Sequence, residues 1–147
     1  MMAGIRGKDT QPELAIRSGL HRMGFRFRTH RKDLPGKPDL VFPKYRAVIF
    51  VQGCFWHGHD CHMFKWPKTR EDFWRQKIGE NRQRDQLSVA KLLEGRWRVG
   101  QVWECALKGR AKLDRVDVLQ SCAAWLTSSA DRLEIGSCEA RPPLRVF

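Results

Sequence analysis

Apolar and polar positions along the chain alternate between two periods, and the changes of period mark the elements. Over residues 12–23, Leu14, Ile16, Leu20 and Met23 supply apolar positions at helical spacing. Asp9 or Thr10 can cap that helix, Pro12 suits its first turn, and Gly24 ends it. "FRFRTH" (25–30) then alternates apolar and basic side chains, the pattern of a strand with one wet face. "DLPGKP" reads as a turn, "DLVF" (39–42) as a short strand, and "RAVIFV" (46–51) as a strongly buried one. A long helix is expected over 71–94, with Thr69 as N-cap, Glu71 and Asp72 at its positive end and Gly95 as its stop. "WRVGQVWE" (97–104) is another strand. A last helix over 115–126 has Val116, Leu119, Ala123 and Leu126 as its apolar stripe. The tail over 128–147 carries little pattern. Helix, three strands, helix, strand, helix describes an α/β sandwich built on a mixed sheet.

The 147 residues suit one domain over 1–147, with a short arm at 1–10. No apolar run reaches the roughly 20 residues of a membrane span, and the first residues lack a signal-peptide core, so a cytoplasmic protein is expected. The net charge of +12, spread over 28 basic and 16 acidic residues, changes the picture more. Such a surface attracts polyanions, with nucleic acid ahead of a merely solubilising excess. Six tryptophans support that reading, because large rings stack on or wedge between bases.

The chemistry concentrates in "VQGCFWHGHDCHMF" (51–64). Five cysteines in a reducing compartment point to metal ligation rather than disulfides. Cys54, His59 and Cys61 form a local clip. Cys105 lies just beyond the last expected strand and reaches that clip if the strand neighbours 46–51. The four would make a closed Cys3His site for structural zinc. Buried apolar thiols are the competing reading, and they suffice for Cys122 and Cys138.

A second site is acidic. Asp39 begins one strand, and Val51 and Gln52 end the next. A carboxylate and a neighbouring main-chain carbonyl can share Mg²⁺, although "KPDL" taken alone is better explained by an aspartate in a turn. On the long helix Trp74, Ile78, Asn81 and Asp85 fall within an arc of about 60°. Asp85 could therefore orient His57, and Trp74 could approach Phe55 and Trp56.

"PGKPDL", "AVIFVQGCFWHGHDCHMF", "TREDFWRQKIGENRQRD" and "WRVGQVWECALKGR", in this order and spacing, resemble the very-short-patch mismatch endonucleases (Vsr). The similarity runs over about residues 2–126. It implies the restriction-endonuclease-like PD-(D/E)xK fold: a three-layer core with a mixed β-sheet flanked by helices, plus a structural zinc site. It also implies Mg²⁺-dependent nicking of double-stranded DNA on the 5′ side of the thymine in a T·G mismatch, leaving a 5′-phosphate. Such mismatches arise when 5-methylcytosine deaminates.

By matching position, the resemblance makes Asp39 the Mg²⁺-binding aspartate, with the Val51 carbonyl on the same ion. His57 becomes the activator of the attacking water, Asp85 its partner, and Glu13 a glutamate near the metal–water cluster. Phe55, Trp56 and Trp74 become the wedge at the mismatch. Cys54, His59, Cys61 and Cys105 become the Zn²⁺ ligands, the set read independently from the residues. Two positions depart from the family pattern: Val51 replaces Thr, and Gln52 replaces His, at the place of the lysine in related nucleases. Gln52 can hydrogen-bond a phosphate or water but carries no proton near neutral pH. Family members often have a longer basic arm reaching the minor groove, so a weaker grip on DNA is expected here. A monomer is expected, with mismatch-repair proteins as further partners. A DNA-binding module without cleavage, and a nuclease of this fold without mismatch preference, are the alternatives.

Overall fold

The computed structural model describes residues 10–137. The N-terminal arm up to residue 9, Cys138 and the rest of the tail lie outside the described residues. Helix α1 (Gln11–Arg22) begins at Thr10, whose hydroxyl accepts the Glu13 N–H, with Pro12 in the first turn. It ends on a Schellman turn. Gly24 takes φ +99°, the Gly24 N–H reaches His21 O, and the Phe25 N–H reaches Leu20 O.

That ending shortens the strand expected at 25–30. Phe25 is committed to the helix terminus and His30 has φ +56°, so only β1 (Arg28–Thr29) joins the sheet. Strands β2 (Leu40–Phe42) and β3 (Ala47–Gln52) follow as an antiparallel hairpin through a 3₁₀ turn at Pro43–Tyr45. Helix α2 (Glu71–Glu94) then crosses to β4 (Arg98–Trp103), which lies parallel to β3. A short helix α3 (Glu104–Leu107) and α4 (Arg115–Leu126) lead to β5 (Arg132–Ile135), parallel to β4. The sheet order β1-β2-β3-β4-β5 is mixed.

Side-chain alternation on β3 sorts the core into two layers, giving three layers with the sheet between. Ala47 and Ile49 face Ile16 and Leu20 of α1 and Cys122, Trp125 and Leu126 of α4. Val48 and Phe50 face Leu92 of α2 and Val99 of β4. Burying Ile49 and its equals fully contributes about 1.5–3 kcal/mol per side chain. Cys122 is buried, as a small apolar thiol. Arg98 closes the end of the sheet by donating to four carbonyls, of Tyr45, Trp125, Leu126 and Ala130, at 2.8–3.2 Å. Among the described residues, no helix is long and apolar enough to cross a membrane.

Several expectations are corrected. Leu14, Met23 and Val116 are exposed; the α4 stripe is Val118, Cys122, Trp125 and Leu126 instead. Its apolar residues are too evenly spread for the sequence to choose the buried face. The N-cap of α2 is Arg70, at φ +55° and without a side-chain bond, rather than Thr69. The tail contributes β5, so β4 is not the last strand, and Cys105 stands on α3.

Most of α2 is polar, with only Ile78 and Leu92 buried. Its 24 residues span about 36 Å. The C-terminal half rests on the sheet, while the N-terminal half extends over the segment after β3. Two glycines permit close approach there. Gly36, at φ +75°, leaves no room for a Cβ, which would sit 2.8 Å from Ser88. Gly58, at φ +63°, lies against Ile78, 2.8 Å from where its own Cβ would be.

Candidate active site and metal centre

Three sets of residues converge where β3 ends. The first is the clip. Beyond Gln52 the chain turns tightly, with the His57 N–H on Gly53 O and the His59 N–H on Cys54 O. This folds His59 back under Cys54. Because β4 lies parallel beside β3, with Gln52 opposite Trp103, Cys105 arrives at the same point. The ligand atoms of Cys54, His59, Cys61 and Cys105 all lie within 4.8 Å of one another. His59 Nδ1 stands 3.6 Å from Cys54 Sγ and 3.5 Å from Cys105 Sγ. A tetrahedral zinc with Zn–S of about 2.3 Å and Zn–N of about 2.0–2.1 Å requires S···N of about 3.6 Å. The donor set and spacing therefore fit a structural zinc site.

Within this cluster the surroundings favour thiolate at Cys105, while the Cys54 and Cys61 thiols are pushed up. The Cys105 thiol is drawn down to about 3, first by the Cys54 thiol as donor and then by the His59 ring and Ser137. Cys54 is pushed up, because its proton is held against Cys105. The Ser137 N–H donates to Cys105 Sγ at 3.2 Å, and Glu104 Oε1 accepts the Cys54 N–H at 3.2 Å. Trp103 stacks flat on His59, ring centres 4.1 Å apart. These contacts orient ligands without contributing donors themselves.

The second set is acidic. Asp39 stands just before β2, and its Oδ2 accepts the Val51 N–H at 2.7 Å. Glu13, buried at 1% exposure, projects from α1 and bonds Arg17 at 3.2 Å and His30 at 3.1 Å. The Asp39 carboxyl is pushed up to about 7 from an ordinary 3.8. Burial is the main cause; the Val51 N–H opposes it, and the nearby Glu13 charge adds to it. One buried and one half-buried carboxyl, Glu13 and Asp39, supply oxygen donors of the kind a hard divalent cation takes.

A cleft of about 170 Å³ gathers Asp39, Val51, Gln52, His57 and Asp85, together with Lys37. The ring nitrogen Nδ1 of His57 lies 2.5 Å from Asp85 Oδ2, which fixes the ring and leaves Nε2 as its free nitrogen for a proton. Gln52 is buried on the cleft wall, and its Oε1 accepts from Gln101.

The third set is aromatic. Phe55, Trp56 and Trp74 form a triangle with ring centres 5.2–5.7 Å apart. Asn81 holds the clip there by donating to Trp56 O at 2.9 Å. The cluster is larger than the sequence reading proposed. Phe64 stacks on Phe55, Trp66 meets Phe64, and Phe73 meets Trp74. Arg70 lies over Phe73 at 4.2 Å and Arg75 over Trp66 at 4.3 Å. Trp66 and Phe73 are exposed, at 37% and 44%. The signal for them was their position within "HMFKW" and "EDFW", beside residues already selected.

Apart from Glu13, which projects from α1 and does not line the cleft, and Cys105 on α3, the residues proposed for Mg²⁺, proton transfer, zinc and wedge lie on the clip, on or just before the strands beside it, and on one face of α2. Gln101, which donates to Gln52, and Arg132, which donates to Gln101, were not foreseen. An oxygen-lined cleft with a fixed imidazole, flanked by exposed rings and arginines, can hydrolyse a phosphodiester within a distorted nucleic acid.

Comparison with known proteins agrees with this chemistry. The family model described as DNA mismatch endonuclease Vsr matches residues 1–63. The type II nicking enzyme V.XorIIP of Xanthomonas oryzae pv. oryzae is 54% identical over 114 residues, covering 78% of this chain and 84% of its own. The DNA mismatch endonuclease Vsr of Escherichia coli is 43% identical over 134 residues, covering 91% of this chain and 86% of its own. The type II nicking enzyme V.NmeAIP of Neisseria meningitidis is 43% identical over 111 residues, covering 76% and 79%.

Proposed function

The chain belongs to the Vsr family of DNA endonucleases, and from that footing we propose that it nicks double-stranded DNA 5′ to the thymine of a T·G mismatch. One observation carries the reading: the clip that bears Phe55 and Trp56 also bears His57, which lines the cleft with Asp39. A base-pair distortion and a phosphate would be gripped by the same few residues.

The basic surface draws the duplex in, with affinity falling steeply as salt rises. Phe55, Trp56 and Trp74 press into the stack where a T·G pair resists least. Arg70, held on Phe73 beside the wedge, would pair with phosphates of the same DNA, while Arg75 on Trp66 is ion-paired to Glu71. Asp39, with the main chain of Val51 and with Glu13 close by, would hold Mg²⁺. When bound, Mg²⁺ supplies Lewis-acid stabilisation of charge on the phosphate and leaving oxygen. His57 takes the proton of the attacking water at Nε2, while Asp85 keeps Nδ1 protonated and the ring aligned. Zn²⁺ on Cys54, His59, Cys61 and Cys105 would serve structure alone, since all four positions are filled by protein.

The test is nicking of duplexes that differ only in T·G against C·G, with and without Mg²⁺. Mg²⁺-dependent nicks confined to the T·G duplex, 5′ to the thymine, are expected. Equal nicking of both duplexes would overturn the mismatch preference, and tight binding without any nick would overturn the cleavage.

A further inference from the structure

The face of the sheet that looks toward α2 carries a line of polar side chains across three strands. Arg132 on β5 donates from Nη2 to Gln101 Oε1 at 2.5 Å. Gln101 on β4 donates from Nε2 to Gln52 Oε1 at 3.1 Å. Gln101 and Gln52 are both buried, at 8% and 5% exposure. Strand register places them there. Gln101 pairs with Phe50 on one side and Glu134 on the other, so Gln52 and Arg132 are its diagonal neighbours on one face.

The polarity of this line has one solution. A guanidinium carries donors only, so whatever it binds must be an oxygen. Arg132 therefore fixes the Gln101 amide with its oxygen toward β5 and its nitrogen toward β3. That nitrogen donates, so Gln52 must present its own oxygen to it. The Gln52 amide nitrogen is then turned the other way. Among the described residues nothing takes its protons, and Gln52 lines the cleft with Asp39, His57 and Lys37.

We propose that Arg132, acting through Gln101, locks the Gln52 amide with its nitrogen toward the cleft, as a fixed donor to a non-bridging oxygen of the scissile phosphate. An unanchored glutamine rotates between donor and acceptor faces, and the acceptor face repels a phosphate. The relay removes that choice. Gln52 thereby supplies a hydrogen bond that needs no titrating proton. Arg132 and Gln101 are positioning residues. This rests on the reading of the Asp39–His57 cleft as the site of cleavage.

Gln101→Glu tests it. The carboxylate still accepts from Arg132, so the fold is retained. It can no longer donate to Gln52, whose amide nitrogen turns to meet it and whose oxygen then faces the phosphate. Single-turnover nicking at saturating enzyme is expected to fall about 100-fold, the scale of losing one preorganised donor. Duplex affinity and melting temperature should hold. Gln52→Leu should lose as much, and the double variant no more than Gln52→Leu alone. Arg132→Met should also slow nicking, and Arg132→Lys, which restores a donor-only partner, should not.

A wild-type rate for Gln101→Glu, or losses that multiply in the double variant, would overturn the relay. If Gln101→Glu fails to fold, equal rates for Arg132→Met and Arg132→Lys overturn it instead. Asp39→Ala, run alongside, separates the two levels. If Asp39→Ala is inactive and Gln101→Glu is not, the relay alone fails; if Asp39→Ala nicks normally, the cleft reading fails.

Discussion

Replacing Asp39 with asparagine is expected to abolish nicking and, in the absence of Mg²⁺, to stabilise the fold above neutral pH. The second effect follows from the environment of the carboxyl. Burial, reinforced by the Glu13 charge, raises its pKa from 3.8 to about 7. The folded protein therefore keeps a proton on Asp39 that the unfolded chain releases near pH 4. Stability falls as pH climbs from about 4 to about 7 and levels off above that window. The gap between the two values corresponds to about 4 kcal/mol, an upper bound for this side chain.

Asparagine keeps an oxygen for the Val51 N–H and carries no charge at any pH. It is expected to be more stable than wild type by about 2–4 kcal/mol at pH 8, the difference shrinking to near zero by pH 4. Urea denaturation of both proteins at pH 5, 6, 7 and 8, zinc-loaded and without added Mg²⁺, measures it. The cysteines and histidines are common to both and cancel in the difference. Adding Mg²⁺ at pH 8 should raise the wild type toward the variant and leave the variant unmoved. A stability difference that does not change with pH would refute the account of a carboxyl destabilised by burial.

Three further outcomes follow from the geometry. Cys105→Ala should lower zinc content and thermal stability together, because it removes a ligand shared between α3 and the clip; atomic absorption and calorimetry read both. In a Phe55→Ala, Trp56→Ala double variant the preference for T·G over matched duplex should largely disappear; competition nicking assays decide. Arg98→Met leaves four carbonyls without their donor and should cost about 2–4 kcal/mol, read as a lowered urea midpoint with no change in zinc.

Local chemistry made much of this molecule legible in the sequence alone. Thr10 and Pro12 mark a helix start, Gly24 and Gly95 mark two ends, and "AVIF" (47–50) is buried on both faces, as its unbroken apolar run suggests. The zinc set was readable because Cys54, His59 and Cys61 lie within eight residues and Cys105 stands just past a strand expected to neighbour them. The lowest-pattern segments behaved differently. Residues 132–135 form a strand only because β4 offers them an edge, and Val116 faces solvent only because α4 docks by another stripe. The Arg132–Gln101–Gln52 line is likewise a property of strand register, since three residues separated by 49 and 31 positions meet only when three strands are aligned. Composition, capping and ligand type act over a few residues and can be read from them. Which groups share a cleft, and which way an amide points, depends on contacts between distant segments, and packing alone settles those.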